Sequence, residues 1–301
     1  LRRFFDNTAN VSIYDTSQGA KALMLYGDGP STPPSLHLYD VEGRIIEELG
    51  SINTTLRAKA MPSASAVSWK ARDGLELSGY LTRLPGAKDA QGLPLIVMSH
   101  GGPELRDTLT FGIWVQYFAA NGLAVFQPNF RGSDGFDQAC AMRGCREWDG
   151  EMQDDVTDGV QRLISQGAAD PQRMCIVGAS NGGYAALAGA SMTLDLYRCA
   201  ASIAGVTDLY EFAKWRKTKW GADSEVYLCS LESLGDPGVD RRALEEKSPT
   251  RLVDAIKIPV LLIHGQDDEI VPVAQSERMH KVLTTARKPA EFIRVPREGH
   301  S

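Results

Sequence analysis

Apolar and polar positions follow two different rules along this chain. Up to about residue 60 they alternate in short runs, the two-residue period of half-buried strands. Segments 11–15, 21–26, 35–39 and 44–49 are the predicted strands. Turn residues separate them, Gly27-Asp28-Gly29-Pro30 and Glu42-Gly43, because these types reach the backbone angles that tight turns need. Four antiparallel strands of this kind read as one blade, the last, of an N-terminal β-propeller. A small four-stranded sheet packed on the next domain is the plainer alternative. A single blade cannot bury both its faces, so the blade reading expects further propeller outside this sequence.

Residues 53–65, polar and small with Pro62, read as a linker. The pattern then changes. Alternation over 67–81 predicts a hairpin turning at Arg72-Asp73-Gly74. Beyond it, continuous apolar runs at 95–99, 123–127, 173–177, 199–204, 259–264 and 290–295 predict buried strands. Helical spacing fills the intervals: 114–121 stopped by Gly122, 154–166 with Val156, Val160, Leu163 and Ile164 on one face, 182–190, and 273–286. Buried strands separated by helices imply an α/β domain, a mostly parallel sheet covered on both faces, over residues 61–301.

Charge narrows the function classes. Lys and Arg number 32 against 38 Asp and Glu, a formal net charge of −6, which argues against a general nucleic-acid binder. No apolar run reaches the roughly 20 residues of a membrane span. The five cysteines, Cys140, Cys145, Cys175, Cys199 and Cys229, cannot all pair within the chain. Cys140 and Cys145 are close enough for a bridge or a metal pair, but no second pair stands at ligand spacing, so no metal is expected. Cys175 and Cys199 sit in apolar strand-like runs and read as small core residues. The chain opens on Leu1 and stops at Ser301, and is expected to be a piece cut at both ends. Neither the cysteines nor the ends distinguish cytoplasm from periplasm, and the oligomeric state is left open.

The candidate chemistry centres on Gly178-Ala179-Ser180-Asn181-Gly182. Gly-x-Ser-x-Gly alone is weak, since a chain this long shows about 0.1–0.2 by chance. Its setting is what counts: it follows a predicted strand and opens a predicted helix, the arrangement of a nucleophile elbow in an α/β-hydrolase fold. A serine needs a base to take its proton. Among the five histidines, His37 lies in the blade and His280 on the amphipathic helix, while His100 and His264 sit at strand ends beside glycine and read as loop-shaping. His300 follows the last strand, at the carboxyl edge where the elbow also emerges. The acid belongs between serine and base, and Asp267 or Asp268 after the 259–264 strand can supply it. Backbone N–H groups of Asn181 and of the His100-Gly101-Gly102-Pro103 loop are the oxyanion donors. Ser99 lacks an elbow and reads as structural.

From about Val67 onward the sequence resembles the catalytic domain of the prolyl oligopeptidase family of serine peptidases, nearest its bacterial dipeptidyl-peptidase and acylaminoacyl-peptidase branch. The residues that carry the resemblance are "SHGGP" at 99–103, "PNFRGSDGF" at 128–136, "MQDDVTDGVQRLI" at 152–164 and "ADPQRMCIVGASNGGYAAL" at 169–187. The stretch "SPTRLVDAIKIPVLLIHGQDDEIVPVAQSERM" at 248–279 and "EGH" at 298–300 complete them in family order. The resemblance implies an N-terminal β-propeller, a triad of Ser180, Asp268 and His300, and an oxyanion hole from Asn181 and Gly102. The residue after the serine is often tyrosine in that family and is Asn181 here, and the helix expected after His300 lies beyond the chain.

The expected function is hydrolysis of peptide bonds in short peptides through an acyl-enzyme, with no cofactor or metal. The same machinery serves a carboxylesterase, and a non-catalytic scaffold is the remaining alternative. After the 199–204 strand, Val206, Leu209 and Phe212 are spaced at three, as on one helix face. In similar proteins this stretch lines the pocket for the residue before the scissile bond. A hydrophobic pocket taking proline, alanine or a larger apolar residue is expected, with Arg216 and Lys214 near enough to admit an acidic residue instead.

Overall fold

The computed structural model describes residues 10–300 apart from 52, 54–55, 57–60, 88–89, 136–142 and 194. Two compact units emerge, one of residues 1–66, 80–90 and 108–125, the other of 67–79, 91–107 and 126–301.

In the first unit, β1 (Asn10–Thr16), β2 (Ala22–Gly29), β3 (Thr32–Asp40) and β4 (Ile45–Ser51) form an antiparallel meander in chain order. The β2–β3 turn falls later than the glycines suggest. Gly27 pairs with Ser35 and Gly29 with Thr32 across a register shift, so the chain reverses at Pro30-Ser31. Asp28 is therefore a strand residue, buried, and its carboxylate accepts from Asn10 Nδ2 and from the N–H of Phe111. Phe111 precedes helix α1 (Ile113–Ala120), whose run ends at Asn121 and Gly122, where φ is +85°. Several large apolar side chains of the meander stay exposed, among them Ile13, Tyr14, Ile45 and Leu49.

An eight-stranded sheet runs mostly through the second unit. Its strands are β5 (Ser63–Lys70), β6 (Glu76–Arg83), β7 (Leu93–Ser99), β8 (Ala124–Asn129), β9 (Ala169–Ala179), β10 (Cys199–Ile203), β11 (Val260–Gly265) and β12 (Ala290–Val295). They lie in the order β12-β11-β10-β9-β7-β8-β6-β5, and β7, β9, β10, β11 and β12 are mutually parallel. The central strands bury apolar side chains such as Leu95, Val97, Met174, Ile176, Ala200 and Leu262, as strands covered on both faces must. Helix α2 (Glu151–Ser165) turns Met152, Val156, Val160 and Leu163 inward; Ile164 is only half-buried. Helix α3 (Asn181–Met192) is small-residue and almost wholly buried. Beyond β10 come α4 (Leu209–Trp220), α5 (Glu225–Ser233) and α6 (Arg241–Glu246), and α7 (Ala274–Thr285) links β11 to β12.

Cys175 and Cys199 correct the reading of two independent core thiols. They are register partners on β9 and β10, half-buried, with Cα atoms 4.8 Å apart, and form a disulfide. Cys145 and Cys229 are free, and Cys140 lies outside the described residues. No helix among the described residues is long and apolar enough to cross a membrane.

Candidate active site

Ser180 stands between the last residue of β9 and the first of α3, at φ +58° and ψ −118°. Positive φ is strained for a residue with a Cβ, and packing on both sides holds it. The Ser180 N–H donates to the Ile203 carbonyl at 2.9 Å. A Cβ on Gly178 would collide with the Gly182 carbonyl, and one on Gly182 with the Ser99 carbonyl. These two glycines thus let β9, β7 and α3 approach closely enough to form the sharp turn. Asn181 is the first residue of α3, so its N–H has no partner within the helix.

The Asp268 carboxylate gathers four donors. Oδ1 accepts the N–H groups of Ile270 and Val271 at 2.8 and 2.9 Å. Oδ2 accepts His300 Nδ1 at 2.7 Å and His264 Nε2 at 3.1 Å. Burial alone would push this carboxyl up, but the hydrogen bonds from His264, His300, Val271 and Ile270 outweigh it and hold it well below the usual carboxylate range. Asp267 is exposed; only its backbone takes part, donating to the Glu298 carbonyl at 2.9 Å. Gln266 N–H donates to Val295 in the same way. The two bonds tie the loop carrying His300 to the loop carrying Asp268. Because Nδ1 of His300 faces a carboxylate, it carries the proton and leaves Nε2 as the basic nitrogen. Ser180 Oγ has no hydrogen-bond partner among the described residues. In sites without substrate such bonds are often long.

His264 and His100 each have a definable tautomer. His264 is fully buried; its Nε2 faces Asp268 and the Val271 carbonyl at 2.9 Å, so Nε2–H donates and Nδ1 accepts from Ser276 Oγ at 2.7 Å. His100 directs Nδ1–H at the Gly101 carbonyl, 3.0 Å away, and accepts at Nε2 from Ser133 Oγ, 2.8 Å away. Its ring stacks on Phe130 with centroids 4.2 Å apart. Burial lowers its pKa from 6.5 to about 4 and keeps it neutral. The loop bearing Phe130 and Ser133 is anchored in turn by Arg131. That guanidinium, 2% exposed, meets both oxygens of the fully buried Asp155 at 2.8 Å, with Asp73 and Glu151 beside it. Phe130 and Ser133 of "PNFRGSDGF" thus hold His100, and Arg131 ties their loop to Asp155 of "MQDDV".

A cavity of about 250 Å³ opens beside Ser180, lined by Gly102, Glu104, Asn181, Val206, Phe212, Arg216 and Val271 among others. Gly102 takes φ +41° there. Val206 and Phe212 thus face the cavity. Leu209 does not line it: it is buried elsewhere, and its N–H donates to Ser248 Oγ. Lys214 also points away, over the Tyr210 ring and toward Glu211. The sequence did not single out His264 as a partner of Asp268, nor Ser133 as a partner of His100. Arg216, which the sequence places near the pocket, lines the cavity together with Phe212, four residues before it.

Comparison with known proteins gives a consistent picture. The model of the Prolyl oligopeptidase family matches residues 110–301. Dipeptidyl aminopeptidase BIII of Pseudoxanthomonas mexicana is 32% identical over 300 residues, covering 97% of this chain and 43% of that protein. Dipeptidyl peptidase family member 6 of Caenorhabditis elegans is 27% identical over 314 residues, covering 97% and 42%. The chain thus spans less than half the length of these curated relatives. Among solved structures, a Mycobacterium tuberculosis puromycin-hydrolyzing peptidase superposes with a TM-score of 0.82 at 29% identity, covering 94% of this chain and 43% of that one. An acylaminoacyl peptidase of Pyrococcus horikoshii does so with 0.81 at 25%, covering 96% and 46%. The second unit has the α/β-hydrolase-like catalytic fold of these enzymes. With its own elbow sequence inside the matched residues, the chain belongs to the prolyl oligopeptidase family.

Proposed function

We propose that this chain carries the catalytic machinery of a serine peptidase that cuts short peptides through an acyl-enzyme. The observation that carries the reading is the 2.7 Å bond from His300 Nδ1 to Asp268, on a sheet whose elbow strains Ser180 into the open. Ser180 Oγ attacks the scissile carbonyl carbon while His300 Nε2 takes its proton. Asp268 holds the ring and stabilises its cation. The N–H groups of Asn181 and Gly102 receive the oxyanion. The carbon–nitrogen bond then breaks, the amine leaving with the proton from His300. Water attacks the resulting ester, its proton passing to His300 and on to Ser180 as the ester bond opens.

Val206 and Phe212 form apolar walls for the residue on the acyl side of the cut. The β1–β4 meander, with Ile13, Tyr14, Ile45 and Leu49 uncovered, reads as a blade of a β-propeller. The test of the chemistry is labelling by a fluorophosphonate probe together with turnover of chromogenic peptides. Probe and turnover both lost in Ser180→Ala is the expected result. Labelling that persists in that variant, or a wild-type protein that resists the probe, overturns the reading.

A further inference from the structure

Arg216 sits four residues after Phe212 on α4, on the same helix face. Its guanidinium carbon lies 5.4 Å from the Phe212 ring centroid, within cation–π range. Both residues line the cavity that contains Ser180. The side chain is half-buried, and burial pushes its basicity down, opposed by the nearby Cys229 and Glu104. No hydrogen bond or ion pair engages it among the described residues.

Three other cations of the neighbourhood are engaged. Lys214 pairs with Glu211 at 3.3 Å and Lys219 with Glu269 at 3.6 Å. Arg241, over the Tyr210 ring, pairs with Glu245 at 3.0 Å. Arg216 alone among these lines the cavity. A guanidinium stays charged at any physiological pH and presents a planar fork that fits a carboxylate. Held partly out of water with its donors unmatched, it is a favourable place for a carboxylate, whose charge-assisted bonds replace the lost hydration.

We propose that Arg216 determines specificity in this cavity, and that the residue on the acyl side of the cut is aspartate or glutamate. The proposal rests on the serine-peptidase reading above. The side-chain methylenes lie along Val206 and Phe212 while the carboxylate meets the guanidinium. The cavity, about 250 Å³, is smaller than the roughly 300–1,000 Å³ of drug-sized sites, a size for a residue or two of peptide. Glu104 also faces this space and repels an anionic ligand. It is exposed, however, and water and salt screen its charge more than that of half-buried Arg216. The apolar walls alone would favour alanine, proline or a larger apolar residue, and that is the competing outcome.

The experiment compares chromogenic peptides that differ only at this residue, with Asp, Glu, Gln, Ala or Pro, on the purified protein and on Arg216→Met, Arg216→Lys and Glu104→Gln. Methionine keeps a flexible stem against Phe212 and removes the charge. The wild type is expected to favour Asp or Glu over Gln and Ala in kcat/KM. In Arg216→Met the acidic-to-alanine ratio falls about tenfold to a hundredfold, the range of a charge-assisted bond. Arg216→Lys recovers part of it, and Glu104→Gln raises the ratio. Alanine or proline substrates matching the acidic ones in the wild type overturn the inference, as does a ratio unmoved by Arg216→Met. Fluorophosphonate labelling, run alongside, separates the two failures. Intact labelling of Ser180 without acidic preference sinks the Arg216 assignment alone. Absent labelling sinks the peptidase reading and this inference with it.

Discussion

His264 Nε2 lies 3.1 Å from Asp268 Oδ2, the same oxygen that receives His300 Nδ1. One carboxylate oxygen is thus shared by an interior histidine and the proposed base. In the proposed triad His264 acts as a positioning residue, donating to the Asp268 carboxylate from a ring that Ser276 and Val271 hold in place. His264→Leu is expected to lower kcat about tenfold to a hundredfold with KM little changed, the usual range for outer partners of a site. His264→Gln, which can still donate to Asp268, should recover part of the loss. Equal damage from both variants would assign His264 a packing role only.

The two aspartates differ sharply in setting, and so should their variants. Asp268→Asn removes the charge facing His300 and permits the wrong ring tautomer; kcat is expected to fall by about 10⁴. Asp267 is exposed and works through its backbone, so Asp267→Asn should stay within a few-fold of wild type. Steady-state kinetics of the pair decides the assignment, and a larger loss at Asp267 reverses it.

Acid should weaken the fold in two stages. Half-buried His100 has its pKa lowered by desolvation from 6.5 to about 4. The unfolded chain therefore binds a proton in that window that the folded chain refuses, and stability drops by a few kcal/mol as pH falls from about 6.5 to 4. Asp268, depressed by its donors, contributes stability that is present above the ordinary aspartate range near ~4 and is lost as pH falls further. Denaturant midpoints measured from pH 8 to 3 report both stages. His100→Gln should flatten the upper one; an unchanged slope there would show that other groups set it.

Arg131 and Asp155 make the buried ion pair that anchors the loop bearing Phe130 and Ser133. Asp155→Asn leaves a guanidinium 2% exposed without its main counter-charge, which costs about 3–5 kcal/mol. Its melting temperature should fall steeply, while the exposed Arg242–Glu246 pair, removed by Glu246→Gln, should change it little. Similar shifts from both would mean that Asp73 and Glu151 carry the Arg131 charge unaided.

Much of this was readable in the residues, for identifiable reasons. The central strands announce themselves because a covered strand is apolar along its length, as β7 is over the predicted 95–99; β12 falls at the predicted 290–295 but is an edge strand with no buried residue. The elbow is legible because its glycines answer a steric demand that local sequence must meet. Other features depend on partners distant in sequence. Gly27 and Gly29 look like a turn until their pairing with β3 is known. Cys175 and Cys199 meet only because β9 and β10 are neighbours in register. Asp267 and Asp268 are chemically alike, and burial distinguishes them. The helices after β10 are less visible because α6 has only six residues and α5 is signalled mainly by its Ser224 cap, which accepts from the Tyr227 N–H.

The bond from Gln266 to Val295 closes the β11–β12 pairing at the last residue of β12, and the bond from Asp267 to Glu298 carries it past both strands. Asp268 and His300, the proposed acid and base, are therefore linked through main-chain atoms as well as through their own side chains. The cavity walls Val206, Phe212 and Arg216 belong instead to the excursion between β10 and β11. In the proposed enzyme, substitutions in that excursion change which peptide is accepted without touching the main-chain bonds that join the Asp268 and His300 loops.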